Sequence, residues 1–128
     1  MIRSFTSHVR RGATVVAMAL LVTATSGWRR VFHLHLLKSV PAANATVSGA
    51  PQVIRLWFSQ PPELGVTSVK VTGPASAAVA LAPLAAGDSA VVIAPVKGKM
   101  AAGAYTVAWR SMAKDGHVAR GTFAFTIK

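Results

Sequence analysis

Three stretches of the chain alternate apolar and polar side chains with a period of two, which is typical of half-buried β-strands. In 53–59 the apolar face is formed by Ile54, Leu56 and Phe58. The same alternation recurs in 104–112 and in 121–128. Two shorter valine-rich runs, 66–72 and 90–94, also fit strands.

Glycine, proline and aspartate recur between these runs, so short turns separate the predicted strands. The alanine-rich stretch 75–86 also contains valine, leucine and proline, which favours strand and loop over helix. The pattern predicts an all-β domain, either a small Greek-key β-barrel or an Ig-like sandwich.

The N-terminus has the composition of an export signal. Arg3, Arg10 and Arg11 precede the apolar stretch 12–24, which is short for a bilayer span. Small residues allow cleavage near 24–26, and an uncleaved anchor is the alternative. We therefore predict a signal or export segment at 1–32 and a β domain at 33–128.

The distribution of charge along the chain restricts the kinds of binding partner that we expect. The formal net charge of the 128 residues is +11, but from residue 33 onward nine basic and three acidic residues leave +6. These cations are scattered and do not alternate with aromatic residues, as a nucleic-acid surface requires. We expect neither a nucleic-acid partner nor an organic small-molecule substrate.

Candidate chemistry is limited to imidazole and carboxylate groups. The chain has no cysteine and no serine in a nucleophile-elbow motif, and three acids make a paired-carboxylate site improbable, so we expect no enzyme activity. Asp115 and His117 would project the same way from an extended segment. A nitrogen and oxygen donor set suits copper(II), and zinc less specifically. The alternative is an Asp-Gly hairpin turn with a solvated His117.

Three motifs resemble the CopC family of periplasmic copper-binding proteins. They are His-x-His-Leu from His33, Gly-x-Tyr-x-Val-x-Trp from Gly103, and Asp-x-His at 115–117, ahead of a final aromatic strand. The resemblance extends over 33–128. It implies a Greek-key β-barrel or cupredoxin-like sandwich, a periplasmic location, and a role as carrier or buffer in copper homeostasis and resistance.

The resemblance also implies a copper(II) site. Its ligands would be His33, through both its α-amine and its imidazole, together with Asp115 and His117. His35 matches a second histidine common in the family and would be an additional ligand or a neighbour of the site. The amine is available only if the chain is cleaved before His33, yet the preceding Arg-Val-Phe sequence is unfavourable for signal peptidase.

The resemblance suggests an inner-membrane copper transporter of the CopD type as a partner. Met100 and Met112 form no methionine cluster, so we expect no copper(I) site of the kind found in some relatives. The alternative function is a structural or adhesive Ig-like module without a metal site.

Overall fold

Residues 33–128, the part of the chain that the computed structural model describes, form two β-sheets. The predicted export segment 1–32 lies outside the described residues. Within 33–128 no helix is long and apolar enough to cross a membrane. The strands are β1 (Leu36–Val40), β2 (Thr46–Val47), β3 (Val53–Phe58), β4 (Ser68–Thr72), β5 (Ala78–Val79), β6 (Ala85–Ala86), β7 (Val91–Pro95), β8 (Gly103–Met112) and β9 (Val118–Ile127).

The sheets remain separate along their length, so the sandwich form of the predicted all-β fold is confirmed and a closed barrel is not formed. The four-stranded sheet has the order β1-β3-β7-β6, and the five-stranded sheet has the order β2-β9-β8-β4-β5. Neighbouring strands are antiparallel except β2 and β9, which are parallel. The chain crosses between the sheets five times, from β1 to β2, β2 to β3, β3 to β4, β5 to β6 and β7 to β8.

The hydrophobic core lies between the sheets. Strand alternation directs every second side chain inward, as predicted for β3, β8 and the end of β9. The buried hydrophobic residues of the strands are Ile54, Leu56, Phe58, Val71, Val92, Ala94, Tyr105, Val107, Trp109, Phe125 and Ile127.

The strand boundaries differ from the predictions where the backbone turns. β4 begins at Ser68, because Leu64–Val66 forms a 3₁₀ turn. β9 begins at Val118, earlier than predicted, because the β8–β9 hairpin is longer than its aromatic pattern indicates. The stretch 75–86 contains two short strands and no α-helix, as expected.

Strand β1 was not predicted from the sequence. Its pairing with β3 shifts at Leu37, since Leu36 lies opposite Phe58 whereas Lys38 lies opposite Trp57. Leu37 consequently points outward and is 62% exposed. This irregularity removes the simple alternation that would have marked 36–40 as a strand.

Gly121 allows Trp109 to lie flat against strand β9. These residues are cross-strand partners, and a Cβ atom at position 121 would lie 2.8 Å from the Trp109 ring. Trp109 also makes an edge-to-face contact with Phe58 in the opposite sheet, with ring centroids 5.1 Å apart. The absence of a side chain at Gly121 therefore contributes to the Trp109–Phe58 contact between the sheets.

We predict that Gly121→Ala lowers the free energy of unfolding by about 1–3 kcal/mol, because the added methyl forces the buried indole to shift. Urea unfolding followed by tryptophan fluorescence measures the change. The control is Gly65→Ala, since a Cβ atom there has no neighbour within 4 Å. Equal effects of the two substitutions would contradict this account of Trp109 packing.

Candidate metal centre

The hairpin turn between β8 and β9 is formed by 113–117. The Ala113 N–H donates to the His117 carbonyl at 3.0 Å, and the Gly116 N–H donates to the Ala113 carbonyl at 2.9 Å. Gly116 has a φ of 88°, which glycine adopts without the strain of a side chain. The interpretation of Asp115-Gly116 as a hairpin turn is confirmed.

The same turn brings the Asp115 and His117 side chains together. One carboxylate oxygen, Oδ1, accepts the His117 backbone N–H at 3.0 Å, and the other, Oδ2, lies 2.9 Å from His117 Nδ1. The sequence interpretation expected this proximity in an extended segment, but the turn produces it. An ionised carboxylate has about four lone-pair positions, so these contacts leave acceptor capacity for an ion.

Asp115 is held in its ionised form. The backbone hydrogen bond from His117 is the largest cause that lowers the pKa of this carboxyl, and the contact with the His117 ring adds to it. Both effects favour the charged carboxylate. A negative oxygen donor is therefore present beside His117 at neutral pH.

The two side chains are also open to solvent. His117 is 66% exposed and Asp115 is 49% exposed. A proton on Nδ1, shared with the carboxylate, leaves the lone pair on Nε2 of His117. Histidines that bind metals through one ring nitrogen commonly donate the other N–H to a carboxylate or carbonyl.

The segment that carries His33 and His35 is fixed by Leu34 and Ser59. Leu34 is buried in the core, whereas the two histidines that flank it are exposed. Ser59 donates its hydroxyl to the His33 carbonyl at 3.1 Å and accepts the His35 N–H at 3.0 Å. The Ser59 N–H donates to the His35 carbonyl at 2.9 Å. The backbone of 33–35 is thereby bound to the end of β3.

His35 contacts the backbone of His33. Its Nδ1 lies 2.9 Å from the His33 carbonyl oxygen, which can only accept, so Nδ1 carries the proton. His35 therefore lies beside the candidate centre. Sequence reasoning overlooked Ser59, because its role arises from contacts with residues that are distant in the chain.

The topology places His33 next to His117. The segment before β1 lies at the end of β3, and that end of the sandwich is also where β8 turns into β9. The two imidazole centroids are 6.2 Å apart, and the rings are inclined at 81°. Imidazoles that bind one ion at about 2.0 Å each can have centroids as far apart as roughly 6 Å, so one ion is within reach of both.

In this structure the side chains of His33, Asp115 and His117 do not converge on a common point. Among residues 33–128, no group of three or more histidine, aspartate or glutamate side chains is arranged to enclose an ion. In this conformation the carboxylate lies at Nδ1 of His117, whereas the free lone pair is on Nε2 at the other side of the ring, so a shared ion requires rotation of the His117 or Asp115 side chain as well as that of His33. Exposure of all three residues leaves room for these rotations.

The donor chemistry fits copper(II). Imidazole nitrogens with one carboxylate oxygen and no thiolate form a set that copper(II) accepts in a tetragonal arrangement.

The two methionines of residues 33–128 lie at opposite ends of β8. Met100 is buried in the core beside the start of β8, at the end opposite the hairpin turn, and Met112 is half-buried at the end of β8.

Comparison with known sequences gives extensive matches. The family model described as "CopC domain" matches residues 36–128. Protein YobA of Escherichia coli K12 is 37% identical over 117 residues, which cover 88% of this chain and 92% of that protein. Copper resistance protein C of Xanthomonas campestris pv. juglandis is 34% identical over 124 residues, with coverage of 90% and 93%.

Solved structures agree with these sequence matches. The crystal structure of PcoC, a methionine-rich copper resistance protein from Escherichia coli, aligns with a TM-score of 0.67 at 32% identity, covering 75% of this chain and 99% of that one. CopC from Methylosinus trichosporium OB3b has the same fold, with a TM-score of 0.68 at 22% identity and coverage of 75% and 94%. The motifs, the sandwich and the length of these matches establish that the chain belongs to the CopC family.

Proposed function

We propose that this protein is a periplasmic copper(II)-binding protein that acts as a carrier or buffer in copper homeostasis and resistance. The observation that carries the proposal is the meeting of His33 with the Asp115–His117 pair at one end of the sandwich. Relatives named as copper resistance proteins support copper as the cargo. The role requires binding and release of the ion rather than catalysis.

The proposed ligands are His33, Asp115 and His117. The imidazoles would supply neutral nitrogen donors, and the carboxylate would offset part of the charge of the ion. His35 is proposed to hold the backbone of His33 through the Nδ1 contact, as a neighbour of the site rather than a ligand. Its position leaves it available as a substitute donor.

The proposed fourth donor is the α-amine of His33. It exists only if the export segment 1–32 is removed and the mature domain begins at His33. Leu34 and Ser59 support this arrangement, since they fix the backbone on the C-terminal side of His33. Delivery of copper to a CopD-type inner-membrane transporter is the proposed step after binding.

We predict that the purified protein binds copper(II) with a tetragonal, nitrogen-rich EPR spectrum. His117→Ala should weaken binding by at least about tenfold, because it removes one donor and leaves Asp115 unpartnered. Isothermal titration alongside EPR measures the loss. A wild-type protein that gives no copper(II) signal would overturn the proposal and favour an Ig-like structural module.

Asp115→Asn tests the carboxylate. The substitution keeps the shape of the side chain but removes its charge, so copper(II) affinity should fall and the EPR spectrum should change. Asp88→Asn is the matched control, because Asp88 is exposed on the loop between β6 and β7. Loss of affinity in the control to the same degree would show a general charge effect instead of a ligand at 115.

We predict that N-terminal sequencing of the exported protein finds His33 as its first residue. One alanine added before His33 should then lower copper(II) affinity, because the donor amine becomes an amide. EPR of the two forms should differ in nitrogen coupling. Cleavage near 24–26 with undiminished affinity would remove the amine from the site, and His35→Ala would then test whether His35 takes its place.

A further inference from the structure

The outer face of the five-stranded sheet carries a cationic group that the copper site does not use. Arg110 on β8 and Arg120 on β9 are direct cross-strand partners, and both are exposed. Ser68 on β4 lies opposite Arg110 on the other side, and Lys70 follows two residues later on the same face. We call Lys70, Arg110 and Arg120, with the shallow depression between them, the cationic face.

Like charges directly opposite on neighbouring strands destabilise a sheet. No carboxylate of residues 33–128 forms an ion pair with any of the three cations of the cationic face. The chain offers little to neutralise them, since Glu63, Asp88 and Asp115 are its only acids. The arginine pair is therefore an uncompensated positive charge on the two strands β8 and β9, close to their connecting turn.

The surface around the cationic face is flat and made of small side chains. Ala108 and its cross-strand partner Thr122 line the depression. Farther along the same face the outward positions of β8 and β9 are occupied by Ala104, Thr106, Ala124 and Thr126. A face made mostly of small residues suits contact with another protein surface. Val118, two residues before Arg120 on the same face, is 42% exposed, but its short side chain would insert little into a membrane interface.

The cationic face lies close to the candidate metal centre. Arg120 is three residues from His117 along the chain, which corresponds to about 10 Å of extended strand. Arg110 and Arg120 lie in the half of the hairpin nearest this turn, whereas the outward positions of the other half carry alanine and threonine as far as Lys128, which follows β9. A partner held by the cationic face would thus meet the exposed Asp115–His117 pair at its edge.

We propose that the cationic face is a docking surface for an acidic segment of a partner protein. Arginine guanidinium groups bind carboxylates through paired hydrogen bonds, and two of them side by side can hold two carboxylates of an extended chain. A second copy of this chain does not fit, because its net charge over 33–128 is positive. The docking does not require copper, so it can be tested on metal-free protein.

The experiment uses ¹⁵N-labelled metal-free protein and a short synthetic glutamate-rich peptide. We expect amide shifts centred on Lys70, Arg110 and Arg120. Arg110→Gln with Arg120→Gln should weaken peptide binding by about tenfold, and raising the salt from about 20 to 200 mM should weaken wild-type binding. The matched control is Lys97→Gln with Lys99→Gln, which removes the same charge from an exposed loop before β8 and should have little effect.

Two further probes distinguish other anions. Inorganic phosphate and vesicles containing phosphatidylglycerol are titrated into the same protein, and both should bind more weakly than the peptide. Stronger binding of either through Arg110 and Arg120 would overturn the acidic-protein proposal, as would equal loss in the control variant or shifts spread over the whole surface.

The variant spectra separate this proposal from that of copper binding. Dispersed amide signals show that each variant folds, and copper(II) EPR shows whether the metal site is intact. Peptide docking without copper binding would support the cationic face and contradict the proposed function. Copper binding without peptide docking would support the proposed function and contradict the docking role of the cationic face.

Discussion

The register of the β8–β9 hairpin is the constraint on which the other features depend. Ten residue pairs, from Gly103–Ile127 to Met112–Val118, join these strands. The inward positions supply Trp109 and Phe125 to the core, the outward positions expose the arginine pair, and the turn holds Asp115 against His117. A slip of one residue would exchange the faces of a strand, burying arginine and exposing aromatic rings.

The candidate metal centre combines a local element with a long-range one. Asp115 and His117 are brought together by five residues of turn, so their contact forms whenever the hairpin forms. His33 reaches them only because Leu34 enters the core and Ser59 binds the backbone on both sides of it. The proposed ligand set therefore depends on correct packing of the two sheets, although two of its members are neighbours in sequence.

The sequence was sufficient to predict those features that depend on apolar–polar alternation or on the residue preferences of turns. The faces of β3 and β8 followed from their apolar period, and Asp115-Gly116 followed from the preference of hairpin turns. β1 escaped prediction because the irregularity at Leu37 breaks the period, and β2 because two residues show none. Ser59 could not be predicted, since nothing in the sequence near Phe58 signals that 33–35 returns to it. The family resemblance suggested His33 as a candidate ligand, which spacing alone does not.

The solvent exposure of Asp115 and His117 bears on how an ion would leave. A metal ion enclosed by the protein can leave only after the fold opens, so a conformational step limits the rate of its release. At an exposed site an incoming donor can bond to the ion before an outgoing one departs, and exchange proceeds through a shared intermediate. An ion bound at such a site would pass to an acceptor without entering free solution, at a rate governed by encounter and ligand substitution.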